Sequence, residues 1–231
     1  LTGFTEPDAV AVISKENYTI FLRPKDQKKE IWEGKRLDIK MAPEVLLANK
    51  AYPIEGLLAG IKILINKDKT VYFDDSSTNL INKSIISTLG QSFKSLNPYL
   101  SEMRLKKDQD EINKMKLSAK ICAEAHMKAM KTVKPGMYEY QMAAIFDSEF
   151  TRHNSKYAYP PIVAGGENAC VLHYIENNKK LNDGDLLLID AGCEISGYAS
   201  DVTRTFPING SFSDAQREIY EIVLNAQKSA I

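Results

Sequence analysis

Two aspartates in the last fifth of the chain, Asp190 and Asp201, lie in surroundings that point to metal chemistry. Asp190 follows LLLI at 186–189, an apolar run typical of a buried strand. Asp201 opens a second β-type run at 202–206. If that second strand returns antiparallel to the first, the two carboxylates face each other, and they repel unless they share a proton or bind a cation. Such hard oxygen ligands suit Mn²⁺, Mg²⁺, Fe²⁺, Co²⁺ or Zn²⁺.

Asp190 and the three histidines of the chain also have simpler interpretations when each is taken by itself. Asp190 fits a strand-terminal turn, or a salt bridge to Arg204. The histidines His126 and His153 fall in helical patterns, and we expect both on helix surfaces. His173 alone is typical of an ordinary hydrogen-bonded histidine. Spacing alone therefore leaves both the metal site and its alternatives open.

The N-terminal part of the chain has the pattern of a small α/β unit. AVAVIS at 9–14 and YTIFL at 18–22 predict a β-hairpin, which Pro24 ends. The segments at 54–59, 61–65, 71–73 and 80–89 then alternate helix-like and strand-like patterns. We expect this first domain to end near Pro98 and assign it residues 1–100.

The remaining residues, 101–231, predict two helices followed by antiparallel sheet. Asp108 and Glu111 have capping-box spacing before a long amphipathic run, which Pro135 and Gly136 end. A second helix is predicted over 138–153. The segment YAYPPIVAGGENACVLHY is expected to be extended around a Gly-Gly turn, and LNDGDLLLIDAGCEISGYASDVTRTFPING to be a turn and two strands.

The ordered string IDAGCEISGYASDVTRTFPINGSFSDAQREIY resembles the metal-ligand region of the M24 metallopeptidases, which have the pita-bread fold. It is most similar to the bacterial-type aminopeptidase P branch. LTGFTEP at 1–7, EIWEGKR at 30–36, MRLKKDQDEI at 103–112 and GENACVLHY also have counterparts there. The resemblance implies an α/β creatinase-like N-terminal domain and the first half of an α+β pita-bread catalytic domain.

The resemblance also implies an activity, hydrolysis of the bond between an N-terminal residue and a following proline by a hydroxide bound to two divalent ions, Mn²⁺ first among them. Asp190 and Asp201 are implied to be metal ligands, with Asp201 bridging the ions, and His173 to contact substrate and the reaction intermediate. Tyr159, in AYPP, is implied to be a pocket residue. One His and two Glu ligands are expected downstream of Ile231, so we expect a chain truncated at both ends and inactive alone.

Composition limits the classes of partner and the cellular compartments that we expect. Thirty Lys and Arg balance thirty Asp and Glu, and no apolar run approaches the roughly 20 residues of a membrane span, so neither nucleic acid nor a membrane is the expected partner. Three scattered cysteines predict reduced thiols and a cytoplasmic protein, with a mitochondrial alternative. The resemblance implies that the partners are peptides with proline at the second position and that the assembly is a homodimer or a homotetramer. A prolidase, a creatinase-like enzyme and a non-catalytic pita-bread scaffold are the alternatives.

Overall fold

The computed structural model describes residues 4–65, 70–75, 80–89 and 93–231. Residues 1–3, the start of the LTGFTEP motif, lie outside these ranges. The chain divides into two compact units, Leu1–Lys106 and Lys107–Ile231. No helix in the described ranges is long and apolar enough to cross a bilayer.

The first unit combines short strands and helices. Its elements are β1 (Val10–Ile13), β2 (Tyr18–Leu22), α1 (Gln27–Glu33), α2 (Ala42–Val45), β3 (Lys50–Pro53), α3 (Leu57–Leu64), β4 (Val71–Phe73), α4 (Leu80–Leu89), β5 (Phe93–Ser95) and α5 (Asn97–Leu105). β1 and β2 are antiparallel, which confirms the predicted hairpin, and β3 adds parallel to β2. β4 and β5 pair in parallel.

Helix α3 corrects one part of the sequence prediction. The run IKILI at 61–65 was placed in a strand-like pattern, yet most of it continues the helix that begins at Leu57. Leu57 and Ile61 are four residues apart, and both are buried on the same side of the helix. The periodicity of a short apolar run does not distinguish a helix from a strand. Here the burial of two residues four positions apart is what matches a helix.

The second unit begins with two helices and continues into sheet. Its elements are α6 (Gln109–Thr132), α7 (Glu139–Arg152), β6 (Lys156–Tyr157), β7 (Ile162–Gly165), β8 (Leu186–Ala191), β9 (Cys193–Ile195), β10 (Tyr198–Ala199), β11 (Val202–Pro207) and α8 (Asp214–Ala230). The capping box predicted at Asp108 and Glu111 is confirmed. After Gly165 the chain forms a short 3₁₀ helix, Gly166–Cys170, where extended structure was predicted.

Helices α6 and α7 cover one face of the sheet β11-β8-β7, in which β8 is central and antiparallel to both neighbours. The core between helices and sheet includes Ile121, Phe146, Leu187 and Ile189. Antiparallel sheet on paired helices, as predicted, is therefore confirmed. The core holds the strands in register by burying every second residue of β8.

The prediction for His126 was wrong. It lies on the buried face of α6, 3% exposed, with its ring edge-to-face against Phe146. Its Nδ1 is 3.0 Å from the Cys122 carbonyl oxygen, and burial lowers the pKa of the imidazole. Four of the five other buried residues of α6 are small, which lets the helix pack closely against the strands: Ser118, Cys122, Ala125 and Ala129. His153 is exposed, as predicted.

Candidate functional site

Asp190 projects from the central strand on the face away from the helices. Along β8, Leu187, Ile189 and Ala191 are buried, and the residues between them, including Asp190, are only partly buried. Because side chains of a strand alternate between its two faces, the apolar run directs Asp190 away from the helix-covered core. The carboxylate thus lies on a rigid element, between Ile162 of β7 and Thr203 of β11.

The chain reverses between the two aspartates through a tight hairpin. Ile195 pairs with Tyr198, and the two residues between them, Ser196 and Gly197, have φ of 52° and 87°. A two-residue loop with both φ values positive matches the right-handed twist of its strands. The hairpin returns the chain to β8, and Asp201 then immediately precedes β11.

Gly192 permits the close approach of the two chain segments between the aspartates. A Cβ at this position would lie 1.8 Å from the carbonyl oxygen of Ser200. Ser200 donates its amide hydrogen to the Cys193 carbonyl at 2.9 Å, and its hydroxyl accepts from the Cys193 amide at 3.1 Å. Only a residue without a side chain fits at this crossing.

Tyr159 connects the two carboxylates. Its hydroxyl lies 2.5 Å from Asp190 Oδ1 and 3.1 Å from Asp201 Oδ1. The two Oδ1 atoms are therefore no further apart than the sum of those distances. Burial and the two neighbouring negative charges raise the pKa of Tyr159 far above its ordinary value, so the phenol keeps its proton and donates it. Arg204, which the sequence suggested as a salt-bridge partner of Asp190, donates to the Thr203 carbonyl oxygen.

His173 lies in the wall of the cavity that contains this cluster. The cavity has a volume of about 330 Å³, and its other lining residues are Tyr159, Pro160, Ile162, Ile175, Asp190 and Asp201. The side chain of His173 is exposed. The structure thus brings together all four residues that the sequence analysis singled out, which lie on three separate stretches of the chain.

The residues of the cavity fit part of a metal site. Two carboxylates that converge on one hydrogen-bond donor supply hard oxygen ligands, as divalent ions require. The described residues contain no group of three or more His, Cys, Asp or Glu side chains arranged to hold an ion. The cluster therefore provides two ligands, and a tight site needs more of them.

The sequence analysis missed a buried carboxylate that is hydrogen-bonded to the part of the chain around His173. Glu139, the first residue of α7, is completely buried and accepts four hydrogen bonds from the part of the chain around His173. A glutamate in the first turn of a helix is common because the partial positive charge at the helix N-terminus stabilises its carboxylate. Nothing in its sequence surroundings distinguishes it from an exposed one.

Comparison with known proteins decides the family. The model of metallopeptidase family M24 matches residues 113–231, more than half of the chain. This chain belongs to metallopeptidase family M24. Residues 1–72 match the model described as the aminopeptidase P N-terminal domain. The family and the fold class predicted from the motifs are confirmed: an N-terminal α/β unit precedes an α+β unit of the pita-bread type.

Relatives of this M24 chain include two bacterial Xaa-Pro aminopeptidases. The Haemophilus influenzae protein is 46% identical over all of this chain and 55% of its own length. The Escherichia coli protein is 40% identical over all of this chain and 56% of its own length. Among solved structures, proline aminopeptidase P II from Yersinia pestis superposes with a TM-score of 0.93 at 40% identity, over 99% of this chain and 57% of that one. The chain thus spans about half the length of the relatives it matches.

Proposed function

We propose that the protein to which this chain belongs is a metal-dependent aminopeptidase that removes an N-terminal residue preceding proline. The observation that carries the proposal is the convergence of Asp190 and Asp201 on Tyr159, in a cavity that His173 also lines. Membership of family M24 and the likeness to Xaa-Pro aminopeptidases support the same activity.

In this proposal Asp190 would be a ligand of one divalent ion and Asp201 a ligand of two. Mn²⁺ is our first choice because the family resemblance implies it, and the hard oxygen atoms of both ligands are compatible with it. Bound ions would supply Lewis-acid chemistry, activating water and stabilising negative charge that develops on the scissile carbonyl. The phenol of Tyr159 keeps the carboxylates oriented by donating to both, as the hydrogen-bond partners of metal ligands commonly do.

His173 has a role on the substrate side of the cavity. A histidine in the cavity wall, close to two carboxylates, is placed to hydrogen-bond the substrate carbonyl as charge develops there. Among the described residues, the cavity lining offers no carboxylate or imidazole besides Asp190, Asp201 and His173. The one His and two Glu ligands that the resemblance implies are thus further residues that the proposed site requires.

The partner and the compartment are also proposals. We propose peptides with proline at the second position as substrates, neither nucleic acid nor a membrane as a partner, and a homodimer or homotetramer as the assembly. The equal numbers of acidic and basic residues support the exclusion of polyanionic partners. The free cysteines support a reducing compartment, for which we propose the cytoplasm, with mitochondria as the alternative.

The test compares two tripeptides that differ only in having proline or alanine second, with the complete product of the reading frame and added Mn²⁺. We expect cleavage of the first bond in the proline peptide only. Asp201→Ala should lower kcat/KM at least ~100-fold and weaken Mn²⁺ binding in calorimetry. The control is Asp183→Ala, because Asp183 accepts a hydrogen bond from Asn209 and lies outside the cavity lining.

The other outcomes favour different members of the fold. Cleavage of a dipeptide ending in proline, with no cleavage of the tripeptide, would favour a prolidase. Cleavage of none of these peptides would favour a creatinase-like enzyme or a non-catalytic scaffold. The absence of both Mn²⁺ binding and cleavage would favour the non-catalytic scaffold.

A further inference from the structure

We propose that Glu139 is a positioning residue, which anchors both ends of the segment that carries His173 and thereby sets where that imidazole lies in the cavity. The segment, residues 165–179, is called here the His173 segment. The proposal rests on the proposed function, since it assigns His173 a task in catalysis. It concerns a residue that touches neither the cavity nor the metal-ligand candidates.

The carboxylate of Glu139 accepts four hydrogen bonds, and all of them come from the His173 segment. Oε1 accepts from the Gly165 amide and from Asn168 Nδ2, both at 2.9 Å. Oε2 accepts from the Tyr174 hydroxyl at 2.7 Å and from the Lys179 amide at 2.9 Å. The first and last residues of the segment are thus attached to one side chain, and two positions between them as well.

Glu139 itself has little freedom to move. It is 0% exposed, and α7 behind it is fixed in the core by Met142, Phe146 and Phe150. A buried carboxylate is costly unless its oxygens are hydrogen-bonded, and here each oxygen has two donors. Each donor would in turn lose its partner if the segment moved, so the arrangement resists displacement cooperatively.

The part of the segment near His173 has few other restraints. Val171, Leu172 and Ile175 are 56%, 88% and 61% exposed, and His173 is exposed as well. Asn177 adds one further attachment, accepting from the Val163 amide and donating to the Pro161 carbonyl. Apolar packing of the segment is limited to Ala169 and Tyr174, which contact β7 and β8, so its exposed residues take their position from these contacts and from the hydrogen bonds.

Tyr174 is the attachment next to His173 in the chain. Its ring is buried while the neighbouring imidazole lines the cavity. Burial, together with the bond to Glu139, raises the pKa of the Tyr174 phenol to about 12. The phenol therefore stays protonated and continues to donate to Glu139 throughout the range of a peptidase assay.

A double-mutant cycle separates positioning from a general contribution to folding. Glu139→Gln keeps the shape of the side chain but directs an NH₂ group at two donors, so we expect kcat/KM for the proline peptide to fall about 10- to 100-fold. We expect Glu139→Gln to add nothing to the loss caused by His173→Ala, because a displaced imidazole is no worse than a missing one. If the two losses multiply instead, the positioning role is overturned.

Glu149→Gln is the matched control. Glu149 lies on the same helix, is 7% exposed and is paired with Lys128 of α6, away from the His173 segment. We expect Glu149→Gln to be less stable than wild type. Any loss of kcat/KM that it causes should multiply with the loss caused by His173→Ala. Calorimetric Mn²⁺ affinity should be unchanged in Glu139→Gln, since Asp190 lies on β8 and Asp201 just before β11, both outside α7 and the His173 segment. A large loss of affinity would show a general disturbance of the site and overturn the proposal.

Hydrogen exchange gives a readout that does not depend on activity. The Gly165 and Lys179 amides pair with different oxygens of Glu139, and glutamine retains one oxygen, so at least one of the two amides should exchange faster in Glu139→Gln. Both should be unchanged in Glu149→Gln, and equal protection in the two variants would contradict the anchoring. If Glu139→Gln does not fold, Tyr174→Phe removes one donor and takes its place in the cycle. A wild-type protein that cleaves no proline peptide overturns the proposed function and the catalytic role of the anchor together, whereas multiplying losses overturn the anchor alone.

Discussion

Replacing Gly192 by alanine would place a methyl group against the backbone of the returning chain. The new Cβ would lie 1.8 Å from the Ser200 carbonyl oxygen and 2.8 Å from its carbon, whereas real contacts of this kind are not shorter than 3.0 Å. These neighbours are backbone atoms between two paired segments, so they cannot move aside as a flexible side chain would. The two segments must separate.

The expected loss follows from what that separation breaks. Overpacking of a tightly packed position costs about 1–3 kcal/mol. The Ser200 amide bond to the Cys193 carbonyl and the Cys193 amide bond to the Ser200 hydroxyl would also be weakened, at about 1 kcal/mol each. We therefore expect Gly192→Ala to lower the free energy of unfolding of the second unit by about 3–5 kcal/mol. Because this crossing lies between Asp190 and Asp201, Mn²⁺ affinity should fall as well.

Urea unfolding followed by circular dichroism measures the loss, with two alanine controls. Gly197→Ala, in the same hairpin, has open space around it but a φ of +87°, and should cost about 1–2 kcal/mol through backbone strain alone. Gly56→Ala has open space and an ordinary φ of −84°, and should be close to neutral. The reasoning is refuted if Gly192→Ala is no more destabilising than Gly197→Ala.

Two further predictions concern protonation and thiol chemistry. The bond from the Tyr198 hydroxyl lowers the pKa of Glu111 below 4.5, so it stabilises the fold above that pH and its contribution is lost as the pH falls through the lowered pKa. Tyr198→Phe should therefore be less stable than wild type at neutral pH, with the difference in urea unfolding closing in acid; a difference that persists in acid would contradict this. Alkylation of the native protein should modify the exposed Cys170 and spare Cys122, whose thiol is buried with its pKa raised to about 11. Peptide mapping that finds Cys122 labelled before unfolding would contradict the burial.

Much of the local structure could be predicted because its causes lie close together in the chain. The capping box at Asp108 and Glu111 needs only a spacing of three residues. The apolar run before Asp190 needs only its own composition to predict a buried strand. Where the local pattern was ambiguous, as in the run at 61–65, the prediction failed because packing against the rest of the unit decided between helix and strand.

The candidate site was predicted as a set of residues and not as a geometry. The motif around Asp190 and Asp201, together with GENACVLHY and AYPP, was specific enough to indicate four members of the site. That Tyr159 donates to both carboxylates depends on the distance between segments that are about thirty and forty residues apart in the chain. No pattern within one segment contains that distance.

By itself, the sequence determined the family, the N-terminal hairpin and the antiparallel sheet on two helices, and it indicated four residues of the candidate site, because these depend on residue type and short-range spacing. Only the tertiary structure decided that Glu139 is buried, that His126 lies in the core and that Gly192 tolerates no side chain. Each of these three facts depends on which distant backbone or side chain lies against the residue. Burial and close approach are properties of a pair of segments, so they become defined only when the chain has folded.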